Sequence, residues 1–165
     1  MIESYDVFEA MSALQKSIRR GLEEDSLHWA TEMYLNGHAA QAWGRLLIIA
    51  SEDIGVADSS VFLLIAALQK AWKDLRGDGA ARLHFVHAVL ALVRAPKSRI
   101  VDNALMVYFE GSREQKEIPD WSLDKHTRRG KNMGRGNAHF FEIWSILENQ
   151  TLVDPYLERA KQIRK

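Results

Sequence analysis

The chain has 165 residues, 47% of them hydrophobic and 27% charged, the balance of one water-soluble globular domain rather than a disordered or fibrous segment. It contains no cysteine, which excludes disulfides, thiolate zinc sites, iron–sulfur clusters and cysteine nucleophiles, and fits a reducing, cytoplasmic compartment. Net charge is zero, yet residues 1–60 carry four Lys or Arg against ten Asp or Glu, and residues 61–165 carry eighteen against twelve. A local anion-attracting patch is therefore expected in a domain that is not basic as a whole.

Val7, Met11, Leu14 and Ile18 recur at helical spacing, and Gly21 can end this first helix in a left-handed conformation. Asp25 or Ser26 is the expected cap of a second helix, which runs through Trp29, Ala30, Met33 and Tyr34 to Asn36. A third, from Ala39 to Ile54, places Trp43, Leu46, Leu47 and Ala50 on one face before Gly55 stops it. Asp58 or Ser59 opens a fourth helix, whose stretch from Val61 to Leu68 is apolar on nearly every side. That predicts a central helix with neighbours around most of its circumference. The same run is the longest apolar one and falls well short of the ~20 residues of a membrane span; the acidic N-terminus is unlike a secretory signal.

The fifth helix, from Ala80 to Arg94, is expected to bury Leu83, Val86, His87, Leu90 and Val93. Pro96 forbids its continuation, because proline lacks an N–H and restrains Ala95. Ser98 is a natural N-cap for a sixth, from Arg99 to about Glu110. No alternating run of β-branched residues is long enough for a strand, so the fold class is all-α, a compact multi-helix domain.

Residues 111–136 differ in composition, with Gly111, Ser112, Pro119, Gly130, Gly134 and Gly136 punctuating a polar stretch that can hold only short helical turns. Helix returns at His139 or Phe140 and runs to Leu147, with Phe140, Trp144 and Leu147 along one side, and Asp154 with Pro155 begins a last charged helix. The organisation expected is a helical domain over 1–110, a Gly-rich basic excursion over 111–136, and C-terminal helices over 137–165 that pack on or extend the same domain.

Few motifs carry chemistry. Gly130-Lys131 is followed by Asn132 and preceded by no strand, so it is no phosphate loop. His84 and His87 have metal-ligand spacing but no evident acidic third ligand, and read as one surface or half-buried histidine and one core histidine. Glu52, Asp53 and Asp58 lack the ligand alternation of a calcium loop and suit helix ends. Asp124, Lys125, His126 and Thr127 could do acid–base work, but adjacent polar residues of this kind usually form a solvated turn. No catalytic residue, metal or cofactor is assigned.

The segment from Lys125 to Arg135 says more. Lys125, Arg128, Arg129, Lys131 and Arg135 come with no acid between them, and glycines let the backbone approach a partner closely. His126 lies within the segment, with Trp121 and His139 beside it as stacking groups. Such a surface suits nucleic-acid phosphates, with binding that weakens steeply in salt; it suits still better the acids of the N-terminal third, within a chain or between subunits. The five tryptophans mostly fall on apolar helix faces and suit a core, and some also suit a subunit interface.

The order of landmarks resembles a known family. Ser12 to Arg19, then Leu27-His28-Trp29 with Ala30 and Met33, then Arg45 through Asp58 with its Ser51-Glu52-Asp53-Ile54-Gly55 run, then Ala95-Pro96-Lys97-Ser98, look like the C-terminal half of the replication-associated recombination protein A (MgsA-type) family. Pro119, Thr127, Lys131, Gly134 and Gly136 are similar in register; Asp124-Lys125-His126, Arg135 and residues 141–165 depart from the pattern. These relatives are AAA+ ATPases akin to clamp loaders that act at stalled replication forks, and their ATPase domain with its Walker motifs has no counterpart in these 165 residues.

The resemblance implies a clamp-loader-collar-like helical domain through which subunits tetramerise, and it gives no licence for ATP hydrolysis. The expected function is a non-enzymatic oligomerisation or adaptor domain in DNA replication or repair. Its expected partners are further copies of itself and an AAA+ ATPase or other fork protein. The partner-facing residues expected are Trp43, Glu52, Asp53, Asp58 and Trp121. The alternative is direct DNA binding through Lys125, His126, Arg128, Arg129, Lys131 and Arg135.

Overall fold

The computed structural model describes residues 5–75 and 77–163, with only the backbone of Ala138. Residues 1–4 and 164–165, which the expected domain boundaries take in, lie outside the described residues. The fold is all-α, with no strand among the described residues. The chain divides into two compact units, Met1–Arg113 and Glu114–Lys165.

In the first unit α1 spans Val7–Arg20. Asp6 caps it by accepting from the backbone N–H of Phe8 and Glu9, and Gly21 ends it at φ 72°. Gly21 and Leu22 donate back to the Ile18 and Ser17 carbonyls, closing the last turn so tightly that α2 (Glu23–Leu35) starts at once. It therefore begins before the Asp25 or Ser26 cap expected from sequence. Glu23, Glu24 and Asp25 fill its first turn, where the helix dipole favours acids, and the buried Ser26 hydroxyl donates back to the Leu22 carbonyl at 2.6 Å.

The third helix, α3, is regular over Ala39–Ile49. It then widens into a π-helical turn, Ala50–Ile54, and a 3-10 turn, Gly55–Ala57. Asp58 caps α4 (Ser59–Asp74) by accepting from the Ser60 N–H. Next come α5 (Ala81–Arg94) and α6 (Ile100–Leu105), and a second π-helical turn, Met106–Glu110, extends α6. Between α5 and α6 the Lys97 ammonium donates to the carbonyls of Leu92, Val93 and Ala95 at 2.9, 3.0 and 2.5 Å. It satisfies acceptors that Pro96 leaves without a following helical turn.

The core of this unit is built around Trp43, which is 0% exposed. Its ring meets those of Trp72 at 5.8 Å and Phe85 at 5.4 Å, and Tyr34 packs on Phe85 at 5.0 Å with the rings tilted by 51°. The Trp72 indole N–H donates to the Tyr34 hydroxyl at 3.2 Å, so four helices meet at one aromatic cluster. Leu14 and Ile18 from α1, Met33 from α2, Ile65 from α4 and Leu92 from α5 complete the packing.

Two expectations about helix faces are corrected here. The fourth helix is not surrounded: it buries only Val61, Ile65, Leu68 and Trp72, while Phe62 and Leu63 are exposed. The fifth buries Ala81, Phe85, Ala88, Val89, Leu92 and Val93. Of the stripe expected for it, Leu83, Val86 and His87 face solvent, so His87 is not a core residue. The helix is rotated because its largest ring, Phe85, is drawn to the Trp43–Tyr34 cluster, where an aromatic side chain buries the most apolar area.

The second unit holds a 3-10 turn Asp120–Ser122, α7 (Arg128–Asn132), a short α8 (Asn137–His139) passing into a π-helical turn Phe140–Trp144, and α9 (Leu157–Ile163). The helical stretch after α8 ends at Trp144, and Leu147 is exposed rather than aligned with Phe140 and Trp144. Before α9, the Asp154 carboxylate accepts from the Tyr156 N–H, a local turn that delays the helix past Pro155.

Candidate functional site

The π-helical turn after α3 carries Glu52 and Asp53, whose carboxylates meet the same two guanidiniums, Arg19 and Arg99. Asp53 is 1% exposed, and a buried carboxylate requires charge partners and hydrogen bonds. It has them: Arg19 Nε donates to Oδ1 at 2.6 Å, Gln15 Nε2 to Oδ2 at 3.0 Å, and Arg99 Nη1 to Oδ1 at 3.2 Å. Glu52 Oε1 accepts from Arg19 Nη2 at 2.9 Å and Arg99 Nη1 at 2.7 Å. Arg99 also pairs with Asp102, and Arg45 Nη1 donates to Gln15 Oε1 at 3.0 Å. The hydrogen bond to Glu52 is the chief cause that holds the Arg99 guanidinium above its ordinary pKa.

This network sets the position of α6. Arg99 sits at its start, the Ser98 N–H donates to the Asp53 carbonyl at 2.8 Å, and a side chain at Gly55 would come within 2.6 Å of Val101 Cγ2. Anchored in this way, α6 presents Ile100, Leu105, Met106, Val107, Tyr108 and Phe109 to solvent, the last two 70% and 72% exposed. Beside it runs an open groove of about 370 Å³, walled by Leu47 and Ile48 of α3 and by Val101 and Leu105 of α6, with Ser51 and Glu52 at its edge. A run of exposed apolar side chains beside an open groove makes this face the candidate interaction surface of the first unit.

The structure revises the partner-facing set expected from sequence. Trp43 lies in the core, Asp53 is buried and consumed by two guanidiniums, Glu52 is half-buried in the same network, and Asp58 serves as the α4 cap. Trp43 and Asp53 are enclosed by the fold and the Glu52 and Asp58 carboxylates are engaged within it, while the buried Trp43 indole N–H has no hydrogen-bond partner among the described residues. Trp121 is exposed. Gln15, Arg19, Arg45 and Arg99, which hold the Glu52–Asp53 turn, were not singled out from the sequence. The available signal was Gln15 and Arg19 at helical spacing beside the apolar Leu14 and Ile18, polar groups on a face that should be buried.

The basic loop of the second unit is closed on itself. Arg135 Nη2 lies 2.6 Å from both Asp120 carboxylate oxygens, and Nη1 donates to the Asp120 and Leu123 carbonyls at 2.6 and 2.8 Å. Thr127 caps α7 by accepting from the Gly130 N–H at 3.0 Å. A Cβ at Gly130 would fall 1.8 Å from the Asp124 carbonyl oxygen, a close approach that only glycine permits. Lys125 Nζ donates to Asn137 Oδ1. Arg135 is thus a clamp and not a free cation, and Lys125 is half-engaged. Arg128, Arg129 and Lys131 are exposed, and their side chains have no hydrogen-bond or ion-pair partner among the described residues; His126 is exposed beside them. Among the described residues no group of three or more His, Asp or Glu is placed to hold a metal ion, and no helix is long and apolar enough to cross a membrane.

Residues 23–161 match the family model described as the MgsA AAA+ ATPase C-terminal family. The chain belongs to that family. It is 31% identical to the replication-associated recombination protein A of Bacillus subtilis over 157 residues, covering 90% of this chain and 36% of that protein. It is 31% identical to the protein of the same name in Haemophilus influenzae over 141 residues, 80% of this chain and 30% of that one. To an uncharacterized AAA domain-containing protein of Mycobacterium tuberculosis it is 37% identical over 136 residues, again 80% and 30%. The chain thus spans about a third of the length of these relatives. The region shared with the MgsA C-terminal family is all-helical and is not the ATPase domain. It takes in the Glu52–Asp53 turn, α6 and the basic loop, whereas Gln15 and Arg19 precede the matched residues.

Proposed function

We propose that this chain is a non-catalytic helical assembly domain of the replication and recombination machinery, and that it buries the α6 ridge and the adjoining groove against further copies of itself. The observation that carries this reading is the exposed run from Ile100 to Phe109, anchored at its start by the Arg99 network. Membership of a family named for the C-terminal part of an AAA+ ATPase supports an assembly role, with an ATPase or fork protein as partner and a tetramer as the expected state. Light scattering behind size exclusion tests it. A concentration-independent oligomer that dissociates in a Val107→Asp, Phe109→Asp variant of unchanged helical spectrum is the expected result; a wild-type monomer at all concentrations refutes it.

A second reading is direct binding of DNA in the cytoplasm through the basic loop. It is favoured by Arg128, Arg129 and Lys131, three neighbouring exposed cations without acidic partners among the described residues. Their replacement by Ala is expected to lower DNA affinity and its salt dependence together; unchanged binding refutes this reading.

A further inference from the structure

The cations of α7 are not presented alone. Trp121 stands on the 3-10 turn Asp120–Ser122, 66% exposed and with no ring contact among the described residues. That turn is tied to the cation-bearing segment through Arg135, which is itself held against Gly130. Arg135 grips the Asp120 carboxylate and the Asp120 and Leu123 carbonyls, the Arg135 N–H donates to the Gly130 carbonyl at 3.2 Å, and Gly130 packs on the Asp124 carbonyl. An indole this exposed offers an open face on which a base can stack. Here it is held in fixed relation to three cations by an arginine that contributes no free charge itself.

Resting on the second reading above, we propose that Trp121 with Arg128, Arg129 and Lys131 forms a binding surface for single-stranded nucleic acid. In it the cations take successive phosphates and the indole stacks on an unpaired base. Stacking needs a base whose face is open, which a duplex does not offer along its length, whereas backbone contacts alone would not distinguish the two. The Asp120–Arg135 pair is the positioning element, since it fixes the Trp121 turn against the cation turn.

The test measures anisotropy of a labelled oligothymidylate and of a duplex of equal length with the full chain, across a salt series, with polyglutamate as competitor. Expected are tighter binding to the single strand, and a Trp121→Ala variant about five- to a hundredfold weaker on it with its salt slope unchanged and its affinity recovered in part by Trp121→Phe. An Arg128→Ala, Arg129→Ala, Lys131→Ala variant should flatten the single-strand slope by up to about 2. Asp120→Ala separates positioning from charge: removing an acid should tighten binding if only net charge matters, but weaken it if the clamp places Trp121. Salt-dependent binding that is equal on duplex and indifferent to Trp121 leaves the DNA reading standing and overturns this inference. Absence of salt-dependent binding to either probe overturns both. Displacement by polyglutamate from a surface indifferent to Trp121 assigns the loop to an acidic protein and likewise overturns it.

Discussion

Arg19 Nε lies 2.6 Å from Oδ1 of Asp53, 34 positions away in the chain, so a carboxylate buried at the end of α3 is neutralised from α1. The pair decides the geometry of the first unit because Arg99 shares the same carboxylate and begins α6. Removing one partner of a buried ion pair leaves an uncompensated charge, which costs about 3–5 kcal/mol; with Arg19 one-third exposed and Arg99 still present, Arg19→Met should fall near the lower end. Urea unfolding of the two proteins measures it, and a change below about 0.5 kcal/mol, the level of an ordinary surface substitution, would remove the Arg19–Asp53 pair from this role.

Gly55 should tolerate no side chain. Its φ of 49° is strained for an L-residue, and a Cβ would meet Val101 Cγ2 at 2.6 Å. Gly55→Ala is therefore expected to destabilise by about 1–3 kcal/mol and, if α6 carries the assembly surface, to weaken self-association as well. Adding Val101→Ala relieves the contact but not the φ strain, so only part of the loss should return. Equal stability of Gly55→Ala and wild type in thermal unfolding would contradict the placement of α6.

Trp43 separates core from interface. Fully buried between Trp72 and Phe85, it should cost about 3–5 kcal/mol when truncated to Ala. The loss should appear as a lowered unfolding midpoint at every protein concentration. Dissociation with unchanged monomer stability would instead assign Trp43 to the surface between subunits.

Glu23 and Arg94 give a small pH dependence of known sign. The Arg94 hydrogen bond holds the Glu23 carboxyl below its ordinary value of 4.5. A carboxylate whose pKa is lower folded than unfolded contributes stability above the unfolded pKa and loses it as pH falls through the folded one. Glu23→Gln should thus show a slightly shallower decline of stability below about pH 4.5, and because the pair is exposed little difference at neutral pH. Parallel acid titrations followed by circular dichroism check this; a steeper decline in the variant would reverse the assigned sign.

Much of the helical order was legible in the sequence because its signals are local. Gly21 and Gly55 stop helices where a left-handed residue is needed, Asp58 caps α4, and Pro96 ends α5. The basic loop was legible as a cluster of charges, since five cations without an acid between them need no geometry to be noticed. Its division of labour was not: Arg135 and Arg128 are the same residue type in the same stretch, and only the fold around Asp120 makes one a clamp and leaves the other free.

By itself, then, the sequence determined the all-helical class, most of the helix ends and the family, since capping, chain-stopping and short motifs act within a few residues. Tertiary structure alone decided which face each helix turned inward and what each charge does. In α5 two overlapping apolar stripes have the same period, and Phe85 packing on Trp43 and Tyr34 selects between them. At the Glu52–Asp53 turn, acids that read as a surface became a buried anchor because Arg19 and Arg99 reach them from distant helices. Periodicity reports that a face is apolar, whereas burial depends on which neighbours arrive, and these come from parts of the chain that no local pattern connects.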